Sequence, residues 1–524
     1  VADGTVTYEY DNTATGGPGA RGRLTKVTDP SGSTSWAYDL AGRVIAKAQT
    51  VGAGAGARTF TVGYGYTAGL LASITYPSGR VVTLGHDLQG QAASLAVDGG
   101  ALLTGGVYFP FGGVRQWTWA NGQAYQRVFD GDGRVAGVTL GPSTHTWADL
   151  NQAFGYDVLD RLTSAGIAAG QTLGFSYDAN GNRTGTTLNG GATTTYTYPG
   201  SSHRLSSLSG ATSRSFTYDA AGNLTASAGV TYTYDGRGRM KQAGSATYLV
   251  NGLGQRVRKT AGAQTHFAYD EAGRLLGEYD STGAAIQEYV WLGDLPVAVV
   301  RPASPGGFTA YYVWADHLGT PRVVSDAANV VRWEWANANP FGAHAPDDNP
   351  SGAGAFVFNL RFPGQYFDTE TATHYNYFRD FDPSIGRYVQ SDPIGLRGGM
   401  NTYGYVDSRP LIFIDSKGLH ASSPSRLWPG WGGLGRGLAG GARGIGGGFA
   451  GAALGFGLGM LMSCELTPLQ RCERDCDAKY DRDRDNCRVQ SGMRGRDKSV
   501  FRECMDRADD DYIECYQNCA KENP

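Results

Sequence analysis

Tyr218-Asp219-Ala220-Ala221-Gly222-Asn223-Leu224 is the stretch whose reading decides the fold. It runs aromatic, aspartate, two small or polar residues, glycine, polar, apolar. The same phrase stands at Tyr38–Val44, Phe129–Val135, Tyr177–Arg183, Tyr234–Met240 and Tyr269–Leu275. Looser copies begin at Tyr76, His86 and Tyr156. Each copy predicts a β-hairpin. Alternating residues such as Ser215-Phe216-Thr217-Tyr218 form one strand, the aspartate bonds the turn backbone, and the glycine supplies a left-handed φ. Asn223-Leu224-Thr225-Ala226 then starts the return strand.

A single hairpin cannot bury its apolar face, so recurring hairpins must stack into a continuous sheet. A long sheet with exposed edges is a liability, which favours coiling or closure. Composition agrees with short strands and tight turns: 79 of the 524 residues are glycine and 30 are tyrosine, and only 18% are charged. Long helices are excluded over most of the length. The net charge of −3 does not favour a general surface for nucleic acid, and no nucleic-acid partner is expected. The Trp117-x-Trp119 and Trp333-x-Trp335 strips could stack on sugars, but at period two they predict one strand face packed inward.

These phrases resemble the YD repeat of the RHS family, which includes toxin-complex C subunits, polymorphic toxins and teneurin shells. The resemblance strengthens downstream, in Asp316-His317-Leu318-Gly319-Thr320-Pro321-Arg322, in His374–Pro383 and in Gly386-Arg387-Tyr388. It continues through Asp392-Pro393-Ile394-Gly395-Leu396, Asn401-Thr402-Tyr403-Gly404-Tyr405 and Asp415-Ser416-Lys417-Gly418-Leu419. It covers about residues 1–419. It implies a mainly β fold, a spiralling antiparallel sheet forming all or part of a shell around the chain's own C-terminal tail. The residues by themselves support a coiled or closed antiparallel sheet.

Asp392 and Asp415 each precede a short turn and flank the Asn401–Tyr405 segment. If that segment folds back, the two carboxylates meet. Two close carboxylates cannot both ionise, so one keeps a proton, as in aspartyl proteases. The resemblance implies self-cleavage between Leu419 and His420, with Arg387 holding a carboxylate or a carbonyl oxygen. The second phrase lacks the family's usual proline, and Asp407 is the fallback partner for Asp392. His317 is expected to be structural. No other histidine shows metal-ligand spacing, and no cofactor is expected.

After Leu419 the composition changes. Half the residues from Gly430 to Gly459 are glycine, and Gly447, Gly451, Gly455 and Gly459 recur at the spacing that lets membrane helices approach closely. All seven cysteines lie between Cys464 and Cys519. Six are arranged in mirror symmetry, which predicts two antiparallel helices with rungs Cys472–Cys519, Cys476–Cys515 and Cys487–Cys504. Sequence alone allows 15 pairings of six cysteines. Such rungs require an oxidising compartment.

The sequence therefore divides into a repeat sheet (1–345), a self-processing region (346–419), a Gly-rich linker with a membrane-interacting helix (420–464) and a Cys-rich helical hairpin (465–524). The N-terminus has no signal peptide and begins in mid-pattern, as a fragment of a longer protein would. The functional expectation is a secreted or cell-surface polymorphic toxin. Its shell encapsulates the tail as cargo and releases it. Secretion components, an immunity protein and a membrane are the other expected partners. The competing expectation is a cell-surface adhesion or carbohydrate-binding protein, anchored by the Gly-rich helix.

Overall fold

Every complete Tyr-Asp phrase closes its turn in one way. In Tyr218–Leu224, Asp219 N–H donates to the Asn223 carbonyl at 2.9 Å and Gly222 N–H to the Asp219 carbonyl at 3.1 Å. One oxygen of the Asp219 carboxylate accepts the Asn223 backbone N–H at 2.8 Å, and the other accepts Asn223 Nδ2 at 2.9 Å. Gly222 sits at φ +90°, a conformation that glycine enters without steric cost. Where arginine stands at that position, its Nε can replace the amide: Arg43, Arg161 (after Asp160 in a looser copy) and Arg274 each reach their aspartate at 2.7 Å. Arg239 instead reaches the Phe378 carbonyl, and Arg237 takes the second oxygen of Asp235.

The tyrosine ties one hairpin to the one before. Its hydroxyl donates to the carbonyl of the residue that opens the preceding return strand. Tyr38 reaches Leu24 at 2.7 Å, Tyr177 reaches Leu162 at 2.8 Å, Tyr234 reaches Leu224 at 2.8 Å and Tyr269 reaches Arg256 at 2.9 Å. Strand register shifts at the tyrosine itself, as at Thr217/Tyr218 and Ala268/Tyr269. Such a bulge increases the local right-handed twist.

This computed structural model describes residues 4–423, apart from 110–112, 130–134, 146–152, 168–169, 201 and 337–338. The expectations placed on the Gly-rich helix and on the six paired cysteines lie outside the described residues, as does most of the phrase begun at Phe129. Within the described residues, twelve strands from Thr7–Tyr10 to Val135–Val138 form one antiparallel sheet, and nineteen from Phe154–Tyr156 to Val331–Glu334 form a second. Each strand pairs with its neighbours in sequence, with no crossover. A third sheet of four strands follows: Tyr366–Asp368, Thr373–Asn376, Arg379–Asp382 and Arg387–Tyr388. The one α-helix among the described residues is the single turn Thr13–Gly16. The fold is the mainly β, antiparallel YD-repeat architecture.

The first sheet packs on the later strands of the second. Trp36 Nε1 donates to Glu271 at 2.9 Å, Ser78 Oγ to Glu288 at 2.8 Å, Tyr76 hydroxyl to the Tyr289 carbonyl at 2.8 Å and Tyr125 hydroxyl to the Ala315 carbonyl at 2.9 Å. The contacts advance together along both stretches of chain, at separations of 178 to 235 residues. Trp117, Trp119, Trp333 and Trp335 are all buried, and Trp117 stacks on Tyr125 with centroids 3.9 Å apart. These strips are core and offer no platform for sugars.

The tyrosine link gives a stability test. Removing the Tyr38 hydroxyl leaves the Leu24 carbonyl without this partner inside the core, which costs about 1–3 kcal/mol. Tyr38→Phe is expected to lower the chemical-denaturation midpoint accordingly. Tyr10→Phe, on an exposed strand, is expected to leave the midpoint unchanged.

Candidate functional site

The four-stranded sheet sets the site through its period of two. Arg379 and Phe381 alternate onto one face, and Tyr388 lies directly opposite Phe381 in register, so it shares that face. Arg379 stacks over the Tyr388 ring at 3.6 Å. Arg387 pairs with Asp382 and therefore points from the opposite face. It donates to the Tyr198 hydroxyl at 2.7 Å and to the His203 carbonyl, and so ties this sheet to the nineteen-stranded one. The structure brings Arg387 to a carbonyl oxygen but not to Asp392 or Asp415. The arginine between those acids is Arg379.

Asp392 and Asp415 converge on a single nitrogen. Arg379 Nη2 lies 2.8 Å from Asp392 Oδ2 and 3.4 Å from Asp415 Oδ2. The other guanidinium nitrogens donate to the carbonyls of Gly418 and Thr402. The Asn401–Tyr405 segment folds back: Asp392 N–H donates to the Thr402 carbonyl at 2.8 Å and Tyr388 N–H to the Tyr403 carbonyl at 3.0 Å. Asp415 is 3% exposed and Asp392 7% exposed. Asp415 accepts from the Tyr388 hydroxyl at 2.8 Å and from Leu419 N–H at 2.9 Å. Asn376 Nδ2 holds the Asp415 carbonyl at 2.8 Å.

Leu419 runs through this cluster. Its N–H is on Asp415, and its carbonyl oxygen and the Asp392 carboxylate both border the bare α-carbon of Gly398. A Cβ on Gly398 would sit 2.3 Å from Asp392 Oδ2 and 2.5 Å from the Leu419 carbonyl oxygen. The glycine is needed for space, since its φ is not among the positive ones. Ile414 and Ser422 form an antiparallel bridge on either side, which holds the strap closed as a loop. His420 is exposed. Asp407 lies on an exposed turn, paired with Arg409 at 3.1 Å, and is not part of the cluster. His317 Nε2 donates to the Leu411 carbonyl at 2.9 Å, a packing role.

Burial pushes the Asp392 carboxyl above the usual carboxylate range. The Arg379 guanidinium opposes this rise, and the Asp415 charge adds to it. Burial also raises the Tyr388 hydroxyl, followed by the Asp415 charge, so the phenol remains a donor. Chemically, the arrangement offers a carboxyl with a raised pKa near the Leu419 carbonyl, a second acid on the N–H of the preceding peptide, and a fixed cation between them.

Comparisons with known proteins agree with the fold. Residues 20–55 match the family model described as RHS Repeat, and residues 147–289 match the one described as Teneurin YD-shell. Among curated relatives, double-stranded DNA deaminase toxin A of Burkholderia cenocepacia is 29% identical over 271 residues, covering 48% of this chain and 17% of that protein. Toxin protein Tse5 of Pseudomonas aeruginosa is 39% identical over 104 residues, covering 20% of this chain and 7% of that one. The chain thus spans less than a fifth of either relative. The crystal structure of TcdB2-TccC3 superposes with a TM-score of 0.60 at 17% identity, over 79% of this chain and 26% of that one. The likeness in structure is one of fold.

The Asp392 proton makes stability depend on pH with a definite sign. A folded-state value above the unfolded one means that the native protein holds this proton more tightly. The contribution is complete below about pH 4, where the unfolded carboxyl titrates, and is lost as pH rises through the folded value. Denaturation midpoints of wild type are expected to fall relative to those of Asp392→Asn as pH rises from about 4 to about 7. A gap that stays constant with pH would remove the assignment.

Proposed function

From a chain that carries RHS and YD-shell repeats, we propose a toxin-type shell that cuts itself once, between Leu419 and His420, and so frees residues 420–524. The observation that carries this reading is Leu419 itself: its backbone N–H donates to Asp415, and its carbonyl oxygen, the one of the Leu419–His420 bond, borders the α-carbon of Gly398 together with the Asp392 carboxylate. In this reading Asp392 is the acid, Asp415 the base, and Arg379 the positioning cation that keeps the two acids together.

The chemistry is hydrolysis. A water oxygen bonds to the Leu419 carbonyl carbon and gives a proton to the Asp415 carboxylate. Asp392 gives its proton to the carbonyl oxygen. On collapse the bond from carbon to the His420 nitrogen breaks. The hydroxyl formed from the carbonyl oxygen returns its proton to Asp392, and Asp415 passes its proton to the departing nitrogen. Both acids are regenerated, and the products are a Leu419 carboxyl group and a His420 amine.

Both curated relatives named above bear toxin names, and the fold superposes on TcdB2-TccC3, which supports the same role for this chain. Residues 1–345 then serve as shell, 346–419 as the processing region, 420–464 as linker and membrane-interacting helix, and 465–524 as a disulfide-braced hairpin. Secretion or surface display, a delivery complex and an immunity partner follow from that role.

Intact mass of purified protein tests the reading. Wild type, 55.5 kDa as a full chain, is expected to give pieces of about 44 and 11 kDa by length. Asp392→Asn and Asp415→Asn are each expected to slow cleavage by at least about 100-fold, the usual worth of general acid or base catalysis. Unimpaired cleavage in Asp392→Asn would overturn the assignment.

A further inference from the structure

The Tyr388 hydroxyl, which touches the acid pair, has one direction only. Asn376 is fully buried. Its Nδ2 donates to the Asp415 backbone carbonyl at 2.8 Å and to the Tyr388 hydroxyl oxygen at 2.7 Å. A carbonyl can only accept, so the amide nitrogen of Asn376, and not its oxygen, faces this side. Both amide hydrogens are then used, and the Tyr388 oxygen is an acceptor toward Asn376. Its single proton goes to Asp415 Oδ2, at 2.8 Å. Arg379, stacked over the same ring at 3.6 Å, places Nη2 3.4 Å from that oxygen. Asp415 Oδ1 accepts the Leu419 N–H at 2.9 Å and, among the described residues, no other donor.

An ionised carboxylate has about four lone-pair sites, two on each oxygen. Two donors fill those of Oδ2, and one donor uses a single site of Oδ1. The remaining lone pair is therefore on the oxygen that already holds Leu419. We propose that Asp415 Oδ1 is the atom that takes the proton of the hydrolytic water, and that Tyr388 is the positioning residue that reserves it. In that step an O–H bond of water breaks, the water oxygen bonds to the Leu419 carbonyl carbon, and a new O–H bond forms on Oδ1. The inference rests on the self-cleavage reading and deepens it by naming the basic atom. It also gives the four-stranded sheet a task. Asn376 and Tyr388 stand on its second and fourth strands, on either side of the strand that carries Arg379, and together they aim the base.

The test reads the base through its pH dependence. The charged and titratable groups that face Asp415 are Arg379, Asp392, Tyr388 and Tyr405, with His420 near Asp392. Full-length chains made by cell-free translation are collected in denaturant, refolded by dilution across pH and followed by intact mass, with circular dichroism as the check of folding. Tyr388→Phe keeps the ring under Arg379 and removes only the hydroxyl. A carboxylate that loses a hydrogen-bond donor holds its proton more tightly. The low-pH limb of the cleavage rate is therefore expected to move up by about one pH unit, the worth of one hydrogen bond to a charged group. The high-pH limb, set by Asp392, is expected to stay in place, and the plateau rate to fall by less than the roughly 100-fold of a lost acid or base. Tyr403→Phe loses a buried bond of the same kind, to the Gly222 carbonyl at 2.7 Å, and is expected to leave both limbs where they are. A tyrosine fluorinated beside its hydroxyl, placed at position 388 by codon suppression, donates more strongly in nearly the same space and is expected to move the low-pH limb down. An unmoved low-pH limb in folded Tyr388→Phe, or in the fluorinated chain where the Phe variant does not fold, would overturn the positioning role, and so would an equal shift in Tyr403→Phe. A wild-type chain that stays whole at every pH, or an Asp392→Asn chain that cleaves like wild type, would instead overturn the self-cleavage reading itself.

Discussion

The fold depends on a carboxylate that closes a turn. In each complete phrase one aspartate oxygen takes a backbone N–H across the turn, and in all but Tyr234–Met240 the other takes the side chain that follows the glycine; there Arg237 takes it and Arg239 reaches the Phe378 carbonyl instead. These bonds lie wholly within the hairpin and need no tertiary contact. The tyrosine hydroxyl then carries the order from one hairpin to the next, because its acceptor is a carbonyl of the preceding one. Turn closure is local and the tyrosine link is nearly so.

The turn and the hairpin were legible in the sequence because their partners lie within four residues of each other. The inward direction of Trp117 and Trp119 was legible too, since alternation specifies a face. The target of each tyrosine was not, because it belongs to a different copy of the phrase and depends on how two hairpins stack. Likewise, Asp392 and Asp415 stand out as turn-forming acids, but their common partner does not. The family's motif pointed to Arg387 rather than Arg379. Strand register decides otherwise: Arg387 shares its face with Asp382 and turns away, while Arg379 shares its face with Tyr388 and reaches both acids.

Gly398 shows another limit of sequence reading. Its neighbourhood, Arg397-Gly398-Gly399-Met400, looks like an ordinary loop. The reason for the residue is the Leu419 carbonyl, which comes from a segment some twenty residues later and leaves no room for a methyl group. Gly364 and Gly418 serve the same strap. A Cβ on the first would strike the Ser416 carbonyl at 1.9 Å, and one on the second the Asn376 carbonyl at 2.5 Å. The close passage of the strap over the four-stranded sheet is thus set by what three residues lack.

The paired advance of the two sheets bears on how such a chain changes length over evolutionary time. Strand order alone would let whole hairpins be gained or lost freely, since none is threaded past another. Yet Trp36, Ser78 and Tyr125 meet partners 235, 210 and 190 residues downstream. Duplication of one hairpin between a residue and its partner would slip every later pair out of step, like a zipper with an extra tooth on one side. Growth is therefore channelled to places outside those spans, or to duplications matched on both.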